Sequence, residues 1–322
     1  RGVRVAGWFQ FGPVRTAPLQ VPGFDADGAG DPMHIGRTSI VPTGGLYGGM
    51  AVPRRLDEMR HPEVEAYLES ADTPTALVPL GTTEQHGQHL AMGTDAYIPT
   101  EICERVADDV EALVGPPMNY GASDMHAGYE GITYVNYRTL ATVVRDVAYS
   151  LAESGFTDIV FVSGHLTNDY AAKVGANQAT HDLPDDNYVY AFPYWDALSG
   201  EDMADYLSFE AGWHANVGET AAVMAIDEGL VDLDEVAVDD PDMPDDIENP
   251  GALLDPLLIG KGSFYRVSES GVWGDPSEAT AERGEEYFDT ITHAVGELID
   301  TFQDVRDDIY ERERPSHAQE EW

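Results

Sequence analysis

The sequence predicts a three-layer α/β fold, with helices on both sides of a mostly parallel central sheet. Three observations carry this expectation. Short apolar runs rich in β-branched and aromatic residues alternate with stretches of helical period. Such alternation implies parallel pairing through right-handed crossovers. The runs are apolar throughout rather than at every second residue, so both faces of the sheet need cover. No internal repeat is visible.

Residues 1–53 are rich in Gly and Pro, as in PGFDADGAGDP and VPTGGLYGGMAVP, and sustain no period. They read as an arm or wrapping loop, ahead of a globular domain over residues 54–322. RLDEMRHPEVEAYLESAD reads as helical pieces around Pro62. TALVPL (75–80) ends at Gly81, as a buried strand would. Residues 97–113 have helical spacing, with Pro99 expected in a tolerant first turn. A loop, NYGASDMHAGYEGITYV, then leads to a helix over 138–154 that Gly155 closes. DIVFVSGH (158–165) is the most apolar strand, a helix follows over 167–180, and NYVYAFPY (187–194) is the next strand. WHANVGETAAVMAIDEG turns helical in its second half. The stretch 231–260 is acidic and Pro-rich, so it is expected to be a loop or lid, and 276–312 is mostly helix.

The 322 residues include 17 Lys+Arg against 59 Asp+Glu, a net charge of −42. Hydrophobic residues still make up 43%, which excludes a disordered acidic tail. A surface this negative repels phosphate backbones and anionic membranes, so neither nucleic acid nor membrane is an expected partner. Lysine occurs only at positions 173 and 261. The composition reads as adaptation to a salt-rich cytosol, where molar salt screens repulsion within roughly 3 Å. The rival is an acidic protein that binds cations or basic partners. A single cysteine, Cys103, excludes an internal disulfide framework and suits a reducing, cytoplasmic setting. No apolar run approaches the roughly 20 residues of a membrane span.

In open parallel sheets ligands bind beyond the carboxyl ends of the strands. TALVPL is followed by GTTEQHGQHLAMGTD and DIVFV by SGHLTN, and WHANVGE comes later. These segments bring Glu84, His86, Asp95 and His165 toward one sheet edge. Glu84 and His86, two apart, can point the same way in extended chain. Mixed carboxylates and imidazoles suit borderline divalent ions, and several carboxylates suit two ions. Each residue also has a plainer reading. Asp95 alone reads as a helix N-cap, and His86 alone as a hydrogen-bonded turn histidine. Asn216 and Glu219 have capping-box spacing, which leaves Glu219 open between cap and ligand. His89 reads as structural. His165, at the tip of a buried strand, is the hardest to explain that way.

Together, LVPLGTTEQHGQHLAMGTD, YGASDMHAGYEGIT, GFTDIVFVSGHLTN, HANVGET and GVWGDPSEATAERGEEY resemble, in order, the blocks of the creatininase family of metal-dependent amidohydrolases. The resemblance runs from about Arg54 to about residue 300. It implies a creatininase-like three-layer fold, a two-metal centre of zinc and/or manganese with iron a further option, and cleavage of C–N bonds, often in cyclic amides. It also implies a homo-oligomer, commonly a hexamer. Glu84, His86, Asp95 and His165 fall on metal-ligand positions, with Asp95 as the bridge. His214 falls on the catalytic histidine that donates a proton, and Glu219 on the Glu of the HAxxxE block. Ser123, His126, Trp195 and Trp213 are candidate substrate contacts, against a plainer reading of the aromatic ones as core or interface.

The chain departs from the creatininase pattern at His165-Leu166-Thr167, where His-Tyr-Glu is usual, so Thr167 replaces a metal-binding carboxylate. Either Glu219 supplies the missing ligand or the second site is weak. Ser163 and Ile132 also depart, and creatinine itself is not the expected substrate. The expected function is hydrolysis of a small cyclic amide or formamide. Within the family, peptide-trimming and keto-inositol hydrolysis, which opens a C–C bond, are the alternatives. A non-enzymatic metal-binding scaffold is the alternative from another class, and His214 argues against it.

Overall fold

The computed structural model describes residues 54–208, 211–239, 258 and 260–310. The expected N-terminal arm and residues 240–257 and 259 of the acidic stretch lie outside them.

Four strands, β1 (Thr75–Leu80), β2 (Leu113–Val114), β3 (Asp158–Ser163) and β4 (Tyr188–Pro193), form a parallel sheet in the order β2-β1-β3-β4. Every residue of β1 and β3 is buried, as the apolar runs required. Their side chains divide by alternation. Leu77, Val160 and Val162 pack on one face with residues of α2 (Thr94–Val106), α6 (Val217–Ile226) and α8 (Ala281–Tyr310). Ala76, Val78, Leu80, Ile159 and Phe161 pack on the other with α3 (Tyr137–Ser154) and α4 (Asn168–Asp182). This is the expected three-layer architecture. Ile159, Val160, Phe161 and Val162 are wholly inaccessible, and burying such side chains contributes roughly 1.5–3 kcal/mol each.

Local signals explain the helix ends. The Asn136 side chain accepts from the Thr139 N–H at 3.0 Å to start α3, and Gly155 at φ 109° ends it. Before β1, α1 (His61–Ser70) carries Pro62 in its first turn. Later come α5 (Gly200–Tyr206), α7 (Ser263–Val267) and a two-stranded antiparallel ribbon of β5 (Gly212–His214) and β6 (Trp273–Gly274). Among the described residues no helix is long and apolar enough to cross a membrane.

Two expectations are corrected. The helix expected over 97–113 runs over Thr94–Val106, and the end of that stretch is β2, which pairs with Ala76 and Leu77. A two-residue strand has too short a pattern to stand out from a helix. Pro99 lies inside α2 rather than in its first turn, and its missing N–H leaves the Asp95 carbonyl without its usual helical partner.

The parallel register aligns Leu80, Ser163 and Pro193, so β1, β3 and β4 end level at one edge. At the opposite edge Asp158, wholly buried at the start of β3, is ion-paired with Arg306 of α8. Gln303 donates to the same carboxylate at 3.1 Å, and the Arg306 guanidinium lies 5.1 Å from the Tyr188 ring centre.

Candidate metal centre

Beyond the level strand ends, the loop after β1 supplies Glu84, Gln85 and His86. The start of α2 supplies Asp95, the turn after β3 supplies His165, β5 supplies His214 and α6 supplies Glu219. A short helical turn, Asp124–His126, adds His126. Small residues permit this convergence. A Cβ at Gly81 or Gly164 would lie 2.4 or 2.3 Å from the Asp95 carbonyl oxygen, so only glycine lets both strand tips reach the start of α2.

All of these ionisable side chains are buried. His86 Nε2 lies 3.0 Å from Asp95 Oδ1 and 4.0 Å from Glu219 Oε1. His165 Nδ1 lies 3.1 Å from Asp95 Oδ2 and 3.3 Å from Glu84 Oε2. Asp95 therefore stands between the two imidazoles. The helix N-cap position belongs to Gly93, so the capping reading of Asp95 does not hold. His126 Nε2 lies 3.1 Å from Glu84 Oε1, and His214 Nδ1 is 4.0 Å from the same oxygen. Glu219 sits at the third position of a helix capped by Asn216, with its carboxylate turned to the cluster. Its N–H donates to the Asn216 side chain, its Oε2 accepts from the Ala215 N–H at 2.6 Å, and its Oε1 faces His86. Ala215 itself is held at φ 50°, a left-handed conformation unusual for alanine.

Three histidines turn one ring nitrogen inward, while the other faces an oxygen outside the cluster. His165 Nε2 donates to Thr167 Oγ1 at 2.8 Å, whose own hydroxyl donates to the Ala122 carbonyl. His214 Nε2 donates to the Gln85 carbonyl at 2.8 Å. His86 Nδ1 faces the Glu84 carbonyl at 3.5 Å. Outward hydrogen bonds of this kind orient metal-binding imidazoles and fix their tautomer. Thr167 thus serves the His165 ring.

Burial pushes the His86 and His165 imidazoles down, but the facing carboxylates outweigh it and lift them to about 9 and about 10. Burial raises Glu84, and it pushes Glu219 up to about 7 against the pull of His86. Burial would raise Asp95 too, yet His86 and His165 hold it below the ordinary carboxylate range. Burial and the neighbouring histidines keep His126 and His214 well below the usual imidazole range. Without ions, then, protons on His86 and His165 neutralise the carboxylates, and those are the protons a cation displaces.

The donors fit divalent metal. Glu84 Oε1 and Asp95 Oδ2 are buried without an aligned hydrogen-bond donor. Three groups have ligand atoms within 4.8 Å of one another: Glu84-His86-Asp95, His86-His214-Glu219 and Glu84-His126-His214. The cluster floors a cavity. Met125, Leu166, Leu207, Leu258 and Phe264 line it with Trp195 and Trp213, and the described lining contains no Lys or Arg.

Of the sequence-predicted contacts, Trp195, Trp213 and His126 line this cavity. Ser123 does not; it is wholly buried and donates to Glu84. His89 bonds Thr220 at 3.0 Å, in keeping with a structural role. Motif reading missed Gln85, whose amide touches two histidines, and Phe264, which stacks on His126 at 4.6 Å between ring centres. Gln85 lay in plain view inside Glu-Gln-His. Phe264 has no motif around it.

The family model for creatinine amidohydrolase matches residues 57–299. The creatinine amidohydrolase of Pseudomonas putida is 29% identical over 258 residues, 76% of this chain and 95% of that protein. A mycofactocin precursor peptide peptidase of Mycolicibacterium smegmatis is 31% identical over 244 residues, 73% of this chain and 88% of that protein. Two creatininase structures, a mutant of Zn-Zn type and a manganese form, each superpose with a TM-score of 0.65 at 26% identity over 77% of this chain and 98% of theirs. With fold, motif order and buried donor cluster in agreement, the chain belongs to the creatininase family of metal-dependent amidohydrolases.

Proposed function

We propose that this chain hydrolyses the C–N bond of a small uncharged amide, a cyclic amide or formamide. In this reading Glu84, His86, Asp95, His165 and Glu219 hold two divalent ions, and His214 moves the proton. The supporting observation is the buried cluster of three carboxylates and inward imidazole nitrogens on the floor of the cavity. Zinc and manganese suit this donor set, and iron is a further option. Bound there, such ions supply an activated water near neutral pH and polarise a carbonyl oxygen.

The remaining steps belong to side chains. His214 is neutral, with Nε2–H held by Gln85 and Nδ1 facing the cluster. It therefore takes a proton at Nδ1 from the attacking water first. It then gives that proton to the leaving nitrogen, a role worth about 10²–10⁴-fold in rate. Ser123, bonded to Glu84, orients a ligand and does not touch substrate. Leu166, Phe264, Trp195 and Trp213 enclose the body of the substrate and exclude water.

Likeness to a peptide peptidase and the apolar wall favour a second reading, in which the amide lies in a short peptide. A keto-inositol would set hydroxyl groups against that wall and leave them unpaired, at about 1–3 kcal/mol each. Leu166 stands on the wall where the family pattern has Tyr, which disfavours creatinine. The composition fits a salt-rich cytoplasm, and a homohexamer is the assembly the family implies.

Metal analysis followed by turnover assays tests this. Cyclic amides, formamides, short peptides and keto-inositols form the panel. Amide cleavage lost to a chelator and restored by zinc or manganese is the expected result. A metal-loaded protein that opens only keto-inositols overturns the C–N assignment. A purified chain that takes up no metal overturns the catalytic reading and leaves a scaffold.

A further inference from the structure

Four histidines ring the cluster, and their outward nitrogens differ in one respect. Those of His86, His165 and His214 face oxygens, as above. The outward nitrogen of His126, Nδ1, faces the Gln85 amide nitrogen at 2.9 Å. An amide NH₂ can only donate, so His126 Nδ1 must accept. Which end of the amide is which is not free. Gln85 Oε1 accepts the Gly87 N–H at 2.9 Å, which leaves the NH₂ end toward the histidines. The backbone closes over this amide, because a Cβ at Gly271 would lie 1.9 Å from Gln85 Oε1.

On the reading of this cluster as a metal centre, we propose that Gln85 is a positioning residue that sorts the histidines. Its side-chain amide fixes the His126 proton on Nε2, which lies 3.1 Å from Glu84 Oε1, and keeps it from binding metal, although His126 stands within ligand distance. Its backbone carbonyl turns the His214 Nδ1 lone pair toward the substrate. A neutral imidazole that binds metal through Nε2 must carry its proton on Nδ1, and here Nδ1 has no acceptor. The 3.1 Å approach of Gln85 Nε2 to His214 Nε2 is then a contact without a shared proton, since His214 Nε2–H already serves the 2.8 Å bond to the carbonyl. The result is one imidazole whose N–H faces a ligand carboxylate and another free to move protons.

Nitrogen-15 spectra of histidine-labelled full-length protein, metal-free and zinc-loaded, decide this without any variant. The expected result is His126 with bare Nδ1 and protonated Nε2 in both states. His86 and His165 should shift on zinc addition while His126 keeps its tautomer. A protonated Nδ1 on His126, or an Nε2 that loses its proton to zinc, overturns the proposal. Gln85→Glu replaces the donor with an acceptor, and should move the His126 proton to Nδ1. Gln85→Leu should lower turnover roughly 10–100-fold with zinc content kept. His126→Gln should also keep wild-type zinc content; loss of an equivalent makes His126 a ligand and sinks the proposal. Failure of wild-type protein to bind zinc overturns the metal-centre reading instead, while the metal-free spectrum still reports the tautomer.

Discussion

Glu84, Asp95 and Glu219 are buried among four histidines, whereas Glu65 and Glu69 on α1 and Glu285, Glu286 and Asp289 on α8 face water. The same functional group is under opposite constraints in the two places. A buried carboxylate needs a cation or an aligned donor, and removing its partner strands an uncompensated charge. An exposed one is solvated, exchangeable and screened by salt. Of the acidic side chains among the described residues, only Asp158 joins the three centre residues in being buried. Almost all of the charge excess there is therefore a surface property, and only these four carboxylates are withdrawn from water.

Asp95→Asn is the strongest test of that division. It should remove at least one equivalent of bound metal and lower turnover by about 10³-fold or more, roughly 4 kcal/mol of barrier. Full metal retention by elemental analysis would remove Asp95 from the centre. His214→Ala comes next. His214 Nδ1 stays 4.0 Å from the nearest carboxylate oxygen, beyond the 3.0–3.3 Å of the His86 and His165 pairs with Asp95 and Glu84. Metal content should therefore hold while kcat falls about 10²–10⁴-fold. Loss of metal would make His214 a ligand.

Salt probes the other group. Dilution from molar to about 0.01 M extends the screening length from roughly 3 to 30 Å. Repulsion among surface carboxylates should then lower the Tm by roughly 5–10 °C, a few kcal/mol for a domain of this size. A Tm that stays level across this range would refute salt adaptation and leave the enzyme reading intact. The smallest effect belongs to a single exposed group. Asp72→Asn should change stability by no more than about 0.5 kcal/mol in chemical denaturation. A larger loss would show that the surface charges act together.

The centre was legible wherever its residues are consecutive in the chain and lie just past a strand. Glu84, His86 and His165 follow β1 and β3 directly, and parallel strands that end level bring such residues together. Asp95 was ambiguous, because its place at a helix start fits a cap until the helix proves to begin at Thr94, with Gly93 in the cap position. The three layers followed from apolar runs, whereas β2 was hidden by its length. Gln85 could not be interpreted from sequence, since its partners come from positions 126 and 214 and its orientation depends on the loop at Gly271. The same holds for Phe264, which reaches the cavity from an unpatterned segment.

The pairing of Asp158 with Arg306 and Gln303 sets a practical boundary for anyone shortening this protein. The buried carboxylate lies at the sheet edge away from the centre, yet its counter-charge comes from the last turns of α8. A version trimmed before residue 306 would keep every residue assigned to chemistry and still remove the cation paired with Asp158 beneath the sheet. Such a product should be poorly soluble however complete its active site. Affinity tags and fusion joints belong beyond that point, and loss of activity on trimming there would report on folding rather than catalysis.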